Sequence, residues 1–196
     1  MHFEAHLLYH VYNRGNNGLK LFYKPDHYHF FLGKMRLHLL PHCQLVAHCL
    51  MPNHFHFLLQ PTPAGTTDDQ SASSVRQPLV RGLATLLSSY TQALNPRLQR
   101  QGALFQPKTK SKLLAAAPYP LTCFHYIHQN PVRAGLAAEL ADWPYSSYRD
   151  FAGLRNGTLC DQQLAVSLLD LPASRSQFMI DSAQALDPEL ISGIKF

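Results

Sequence analysis

The chain has 196 residues, 46% of them hydrophobic and 15% charged, with a formal net charge of +5 and one tryptophan. That length holds one good core, or one domain with a helical extension, and excludes a second full domain. No apolar run approaches the roughly 18–20 residues of a membrane span, and the opening MHFEAHLLYH lacks the basic start and long apolar stretch of a secretory signal, so the expected location is the cytoplasm.

In chain order, HLLYHVYNRGNNG alternates and then breaks at Gly15, which predicts a first strand running into a loop. KPDHYHFFLGKMRLHLL follows as a helix with Asp26 as its N-cap, ended by Pro41. CQLVAHCLM and HFHFLLQP predict two strands joined in a hairpin at Pro52–Asn53. Residues 61–74 mix Pro, Gly, Ser, Thr and Asp and read as a loop, and a helix is expected from Val75 to Ala93 with Pro78 in its first turn. GALFQPKTKSKLLA supplies a fourth strand, and PLTCFHYIHQNPVRAGL a helix stopped near Asn130 by Pro131. The first six elements form the β-α-β-β-α-β order of the α+β, ferredoxin-like split, an antiparallel sheet with helices packed on one face. The tyrosine-bearing helix is a further element, and residues 153–196 read as a small helical C-terminal extension to a body spanning 1–152.

Charge is unevenly spread. Up to residue 138 there are 13 basic against 4 acidic residues, from 139 onward 4 against 8, and no Asp or Glu lies between Asp69 and Glu139. A basic body suits a polyanion, of which nucleic acid is the usual one, although a merely solvated basic face would look the same. Cys43, Cys49, Cys123 and Cys160 form no CxxC pair and are expected as buried small hydrophobes. His42–Cys43 and His48–Cys49 offer a zinc alternative whose spacing fits no zinc template.

Three stretches carry chemistry. In NHFHF, residues two apart on a strand share a face, so His54 and His56 project together while Phe55 and Phe57 pack on the other side. Two imidazoles supply two positions for a transition ion, but a core-satisfied pair would have the same spacing. In HYIHQNP, Tyr126, Gln129 and Asn130 stand at i, i+3 and i+4 of a helix, where a tyrosine can be a covalent nucleophile and an amide oxygen can complete a metal shell. In PKTKSKL, Lys108, Lys110 and Lys112 line one face of an extended strand and can track phosphates, or else protect a sheet edge. Together they suggest phosphoryl transfer at a site with no dedicated carboxylate base.

MPNHFHFLLQP, GALFQPKTKSKL, YIHQNPVRAGL and DWPYSSYRDF, with the opening YHVYNRGNN, resemble the single-tyrosine HUH transposases, most closely their REP-associated tyrosine transposase branch, over about residues 5–152. The resemblance implies a ferredoxin-like catalytic domain over 1–152 that cuts hairpin-containing single-stranded DNA through a covalent 5′-phosphotyrosine, leaving a free 3′-hydroxyl. It implies His54 and His56 as ligands for Mg²⁺ or Mn²⁺, Tyr126 as nucleophile, and Asn130 as third ligand with Gln129 as second choice. Arg14, Lys108, Lys110, Lys112 and Arg133 are the expected DNA contacts. A bacterial, nucleoid-associated protein acting as monomer or homodimer on REP-like hairpins follows, the alternative being a domesticated protein that binds structured nucleic acid without cutting it.

Overall fold

The computed structural model describes residues 1–67, 76–184 and 186–194. Strands β1 (Tyr9–Arg14), β2 (Cys43–Met51), β3 (His54–Pro61) and β4 (Lys110–Leu113) form one antiparallel sheet in the order β2-β3-β1-β4, the order of the ferredoxin-like split. Helices α1 (Pro25–His38) and α3 (Pro78–Arg97) cover one face. Alternation along β3 gives that face Phe55 and Phe57, and the Phe31 ring of α1 meets both at 5.8 and 6.5 Å between centroids. Tyr90 of α3 packs edge-on against Phe31 and donates its buried hydroxyl to the Leu21 carbonyl at 2.6 Å. Helix α4 (Tyr119–Arg133) covers the opposite face.

Three expectations shift. Helix α1 is capped from Lys24, with Pro25 as its first residue; Asp26 sits in the first turn, where its charge meets the helix dipole instead of capping. Helix α4 does not stop at Asn130 but runs through Pro131 to Arg133. Pro131 lies in the last turn and removes one donor to the carbonyl four residues back, a loss that the burial of the helix outweighs, and the end is closed by Ala134 N–H donating to Asn130 and Leu136 N–H to Pro131. The fourth strand shrinks to Lys110–Leu113, because Asn13 donates to the Gln106 carbonyl and to Thr109 Oγ1 and so bends the preceding segment off the ladder. The loop expected over 61–74 opens with a short turn, α2 (Pro63–Thr66), capped by Thr62; residues 68–75 lie outside the described residues, and the helix expected over Val75–Ala93 begins at Pro78 after the N-cap Gln77 and runs on to Arg97.

The DWPYSSYRDF stretch lies along the outer edge of β2. Leu50 N–H donates to Tyr145, Ser147 N–H to His48, and the Trp143 indole to the Leu50 carbonyl at 3.0 Å, which occupies backbone groups that an open edge would expose. Asp150, almost wholly buried, is held by both the Nε and Nη2 of Arg155. Beyond it come α5 (Tyr148–Phe151), α6 (Gln162–Leu169), α7 (Arg175–Ala183) and α8 (Pro188–Ser192). They share the core: Phe178 of α7 lies against Phe124 and Phe151, and Ile191 and Ile194 are buried. All four cysteines are free and buried.

The β2–β3 hairpin tip is gripped by the loop after β1. Gly15 N–H donates to the Asn53 carbonyl at 2.7 Å, and Leu21 and Phe22 N–H both donate to Pro52. A Cβ on Gly15 would stand 1.9 Å from the Leu19 carbonyl oxygen, so any side chain there forces this loop off the hairpin. Gly15→Ala is expected to lower stability by about 1–3 kcal/mol, as other overpacked sites do, read as a lower urea midpoint at unchanged m-value.

Candidate active site

The register of β1 on β3 sets Tyr12 opposite His56 and Arg14 opposite His54. Alternation then sends His10, Tyr12 and Arg14 to the same face as the two β3 histidines, the face that α4 covers. His54 and His56 ring centroids are 5.0 Å apart, and the Tyr126 ring stands edge-on 5.7 Å from His56 of its own chain. A pocket of about 400 Å³ opens beside them, lined by Met51, His54, Tyr126, Asn130, Arg133 and Ala134.

Hydrogen bonds orient the imidazoles. His54 Nδ1 lies 2.7 Å from Asn53 Oδ1. That oxygen can only accept, so the proton is on Nδ1 and the ring's lone pair is at Nε2. His56 Nδ1 faces His10 Nε2 at 2.8 Å. Burial, reinforced by Arg14, pushes His54 down to about 4; burial, then His10 and His54, hold His56 well below its usual range. Both rings are therefore neutral near pH 7, the form in which imidazole binds metal. Burial raises the Tyr126 phenol above its usual value, and the Asn130 amide and Arg133 pull against that rise.

Among the described residues no three His, Cys, Asp or Glu side chains converge to hold a metal, so neither the zinc alternative nor an all-imidazole-and-carboxylate shell is built here. A metal at His54 and His56 would need an amide or phenol oxygen as third donor. Asn130 fits: it lines the pocket, and its Nδ2 donates to the Tyr126 carbonyl at 2.9 Å, which leaves Oδ1 as the polar atom for a ligand. Two neutral nitrogens and an amide oxygen suit a borderline ion such as Mn²⁺ better than hard Mg²⁺.

Of the other expected residues, Gln129 turns away; its amide donates to the Ser182 and Gln184 carbonyls behind α4, at 2.9 and 2.8 Å, so i+3 and i+4 face opposite partners. Lys110 and Lys112 pair with Tyr12 and His10 and thus lie on the site face, but Lys112 Nζ donates to the Gly193 carbonyl. Lys108 precedes the strand and lines a separate groove with α3, outside the expected ladder. Arg133 reaches the pocket because α4 runs on past Pro131. Arg14 closes β1 opposite His54. His10, Tyr12 and Asn53 were not anticipated. The signal for the first two was the alternation of YHVYNR, which gives them the parity of Arg14, and it becomes informative only once the β1–β3 register is known.

No protein-family model matches the chain. It is 27% identical over 114 residues, 54% of this chain, to a Haemophilus influenzae protein named as a REP-associated tyrosine transposase, and spans 58% of that relative's length. Its fold is similar, with a TM-score of 0.55 and 20% identity, to a solved structure of a REP-associated tyrosine transposase bound to a REP hairpin, covering 82% of this chain and 91% of that one. Among the described residues no helix is long and apolar enough to cross a membrane. The chain is thus similar in sequence, over part of its length, to one REP-associated tyrosine transposase and in fold, over most of it, to another.

Proposed function

We propose that the protein is a metal-dependent DNA strand transferase that cuts hairpin-containing single strands through Tyr126. The observation that supports this most is the edge-on approach of Tyr126 to His56 of the same chain, beside His54 and Asn130, in a pocket that Arg133 also lines. The name of the sequence relative and the hairpin bound in the structural neighbour point to the same substrate class. In this reading residues 1–152 carry the chemistry, 153–196 brace it, and one chain holds both nucleophile and ligands.

The Tyr126 oxygen gives up its proton and attacks the scissile phosphorus, a phosphotyrosine bond forms, the bond to the 3′-oxygen breaks, and that oxygen takes up a proton and leaves as a hydroxyl. Arg133 and Lys110 hold the flanking phosphates, and Arg14 approaches from the hairpin end of β1. A divalent ion held by His54, His56 and Asn130 would polarise the phosphate and favour the phenolate. Asn130 also acts directly, since its amide draws down the phenol that burial raises.

A second reading, a protein that binds structured nucleic acid without cutting it, has one observation in its favour: burial holds the Tyr126 phenol above its ordinary range, the opposite of an activated nucleophile. Labelled hairpin-bearing single strands with Mn²⁺ decide between the two. The wild type is expected to form an SDS-stable adduct that chelator prevents and that Tyr126→Phe abolishes; tight binding with no adduct across many hairpins favours the second reading, and an adduct persisting in Tyr126→Phe refutes the nucleophile. Lys110→Ala and Arg133→Ala are each expected to weaken binding at every sequence alike and to reduce the slope of log affinity against log salt by about 0.7 to 0.9, measured by fluorescence anisotropy.

A further inference from the structure

The two candidate ligand rings are each engaged at Nδ1, but only one of those bonds has its direction fixed by chemistry. Asn53 must accept from His54. His56 Nδ1 and His10 Nε2 face each other at 2.8 Å with the rings 20° from parallel, and either nitrogen can carry the proton. Both rings are fully buried, where a charged imidazolium is costly, so the pair shares one proton between the facing atoms. If His10 donates, the proton of His56 moves to Nε2 and blocks coordination. If His56 donates, the lone pair lies at Nε2 of a ring whose centroid is 5.7 Å from that of Tyr126.

We propose that His10 is a positioning residue that accepts from His56 and so holds it in the Nδ1–H tautomer, with Nε2 presented to the metal. The proposal rests on the reading of His54 and His56 as metal ligands. It makes the two imidazoles alike: each gives its Nδ1 proton to an acceptor outside the site, an amide oxygen for His54 and a neutral imidazole for His56, the arrangement by which proteins fix metal-binding histidines.

The surroundings of His10 agree. As acceptor at Nε2, it carries its own proton on Nδ1, a buried atom with no hydrogen bond among the described residues. Burial holds this ring below its ordinary range, and the backbone of Ile194 pulls the other way. Ile194 is itself buried, and the turn that carries it is tied down by the bond from Lys112 Nζ to Gly193. The outer end of the relay thus lies in the C-terminal extension, far along the chain from the strand pair that bears the histidines.

The test uses the full chain and two readouts. Long-range proton–nitrogen NMR of the metal-free, histidine-labelled wild type is expected to show His56 as the Nδ1–H tautomer; the Nε2–H tautomer overturns the proposal whether or not the protein cuts DNA. Titration with Mn²⁺ alone, followed by electron paramagnetic resonance, is expected to show affinity about 10–100-fold weaker in His10→Phe and restored to within a few-fold in His10→Gln, whose amide oxygen can accept the same proton. Unchanged affinity in a folded His10→Phe, or no rescue by a folded His10→Gln, overturns it as well. A wild type that binds no Mn²⁺ refutes the metal reading, and the tautomer spectrum still decides the role of His10.

Discussion

The structure depends on one constraint, the antiparallel register that sets β1 against β3. It places Tyr9, Val11 and Asn13 opposite Leu59, Phe57 and Phe55, and Arg14 and Tyr12 opposite His54 and His56. One face is thereby apolar enough to anchor α1 and α3. The other carries imidazoles and a phenol into a helix-covered interior, where an unpaired polar group costs on the order of 1–3 kcal/mol. The site answers that cost internally, since His10 and His56 bond each other and His54 bonds its neighbour Asn53. A register slip of one residue would exchange the two faces and destroy both core and site together.

The electrostatics of the site follow from what the sequence withholds. With no Asp or Glu between Asp69 and Glu139, nothing acidic in that span competes with phosphate, while Arg133 lines the pocket and Arg14 ends β1 opposite His54. Neutral imidazoles add donors without adding charge. The same burial that keeps them neutral raises the tyrosine, so an apolar roof that favours metal binding disfavours a bare phenolate. On the proposed reading these opposed effects are reconciled only when a cation joins the site, and chemistry is tied to metal occupancy.

Much of this was legible. Alternation marked β1, the apolar stretches CQLVAHCLM and HFHFLLQP marked β2 and β3, and the hairpin at Pro52–Asn53 fell where turn chemistry put it. His54, Tyr126 and Asn130 line one pocket, with His56 beside Tyr126. What escaped was whatever depends on partners distant in sequence. Lys108 shares the parity of Lys110 and Lys112, yet Asn13 pulls the chain off the ladder just before the strand starts. Pro131 signalled a helix end, but α4 is buried on nearly every side and its packing outweighs one lost hydrogen bond. His10 looked like any alternating residue until its partner strand was known.

Helix α4 shows why the extension matters to the site. Tyr126 and Asn130 face the sheet, while Phe124 and Gln129 face the C-terminal helices. Its axial position is not dictated by the sheet alone, because a stack of rings tolerates sliding. One helical turn is about 5.4 Å, comparable to the 5.7 Å that separates Tyr126 from His56, so a slip of even part of a turn would take the phenol out of reach. Its directional contacts include the two bonds from Gln129 to Ser182 and Gln184 and the bond between His128 Nε2 and Ser147 Oγ, with Phe178 wedged against Phe124. Gln129 is therefore better understood as the residue that registers the helix than as a ligand, and the segment beyond residue 152 as part of what sets the distance between tyrosine and histidine.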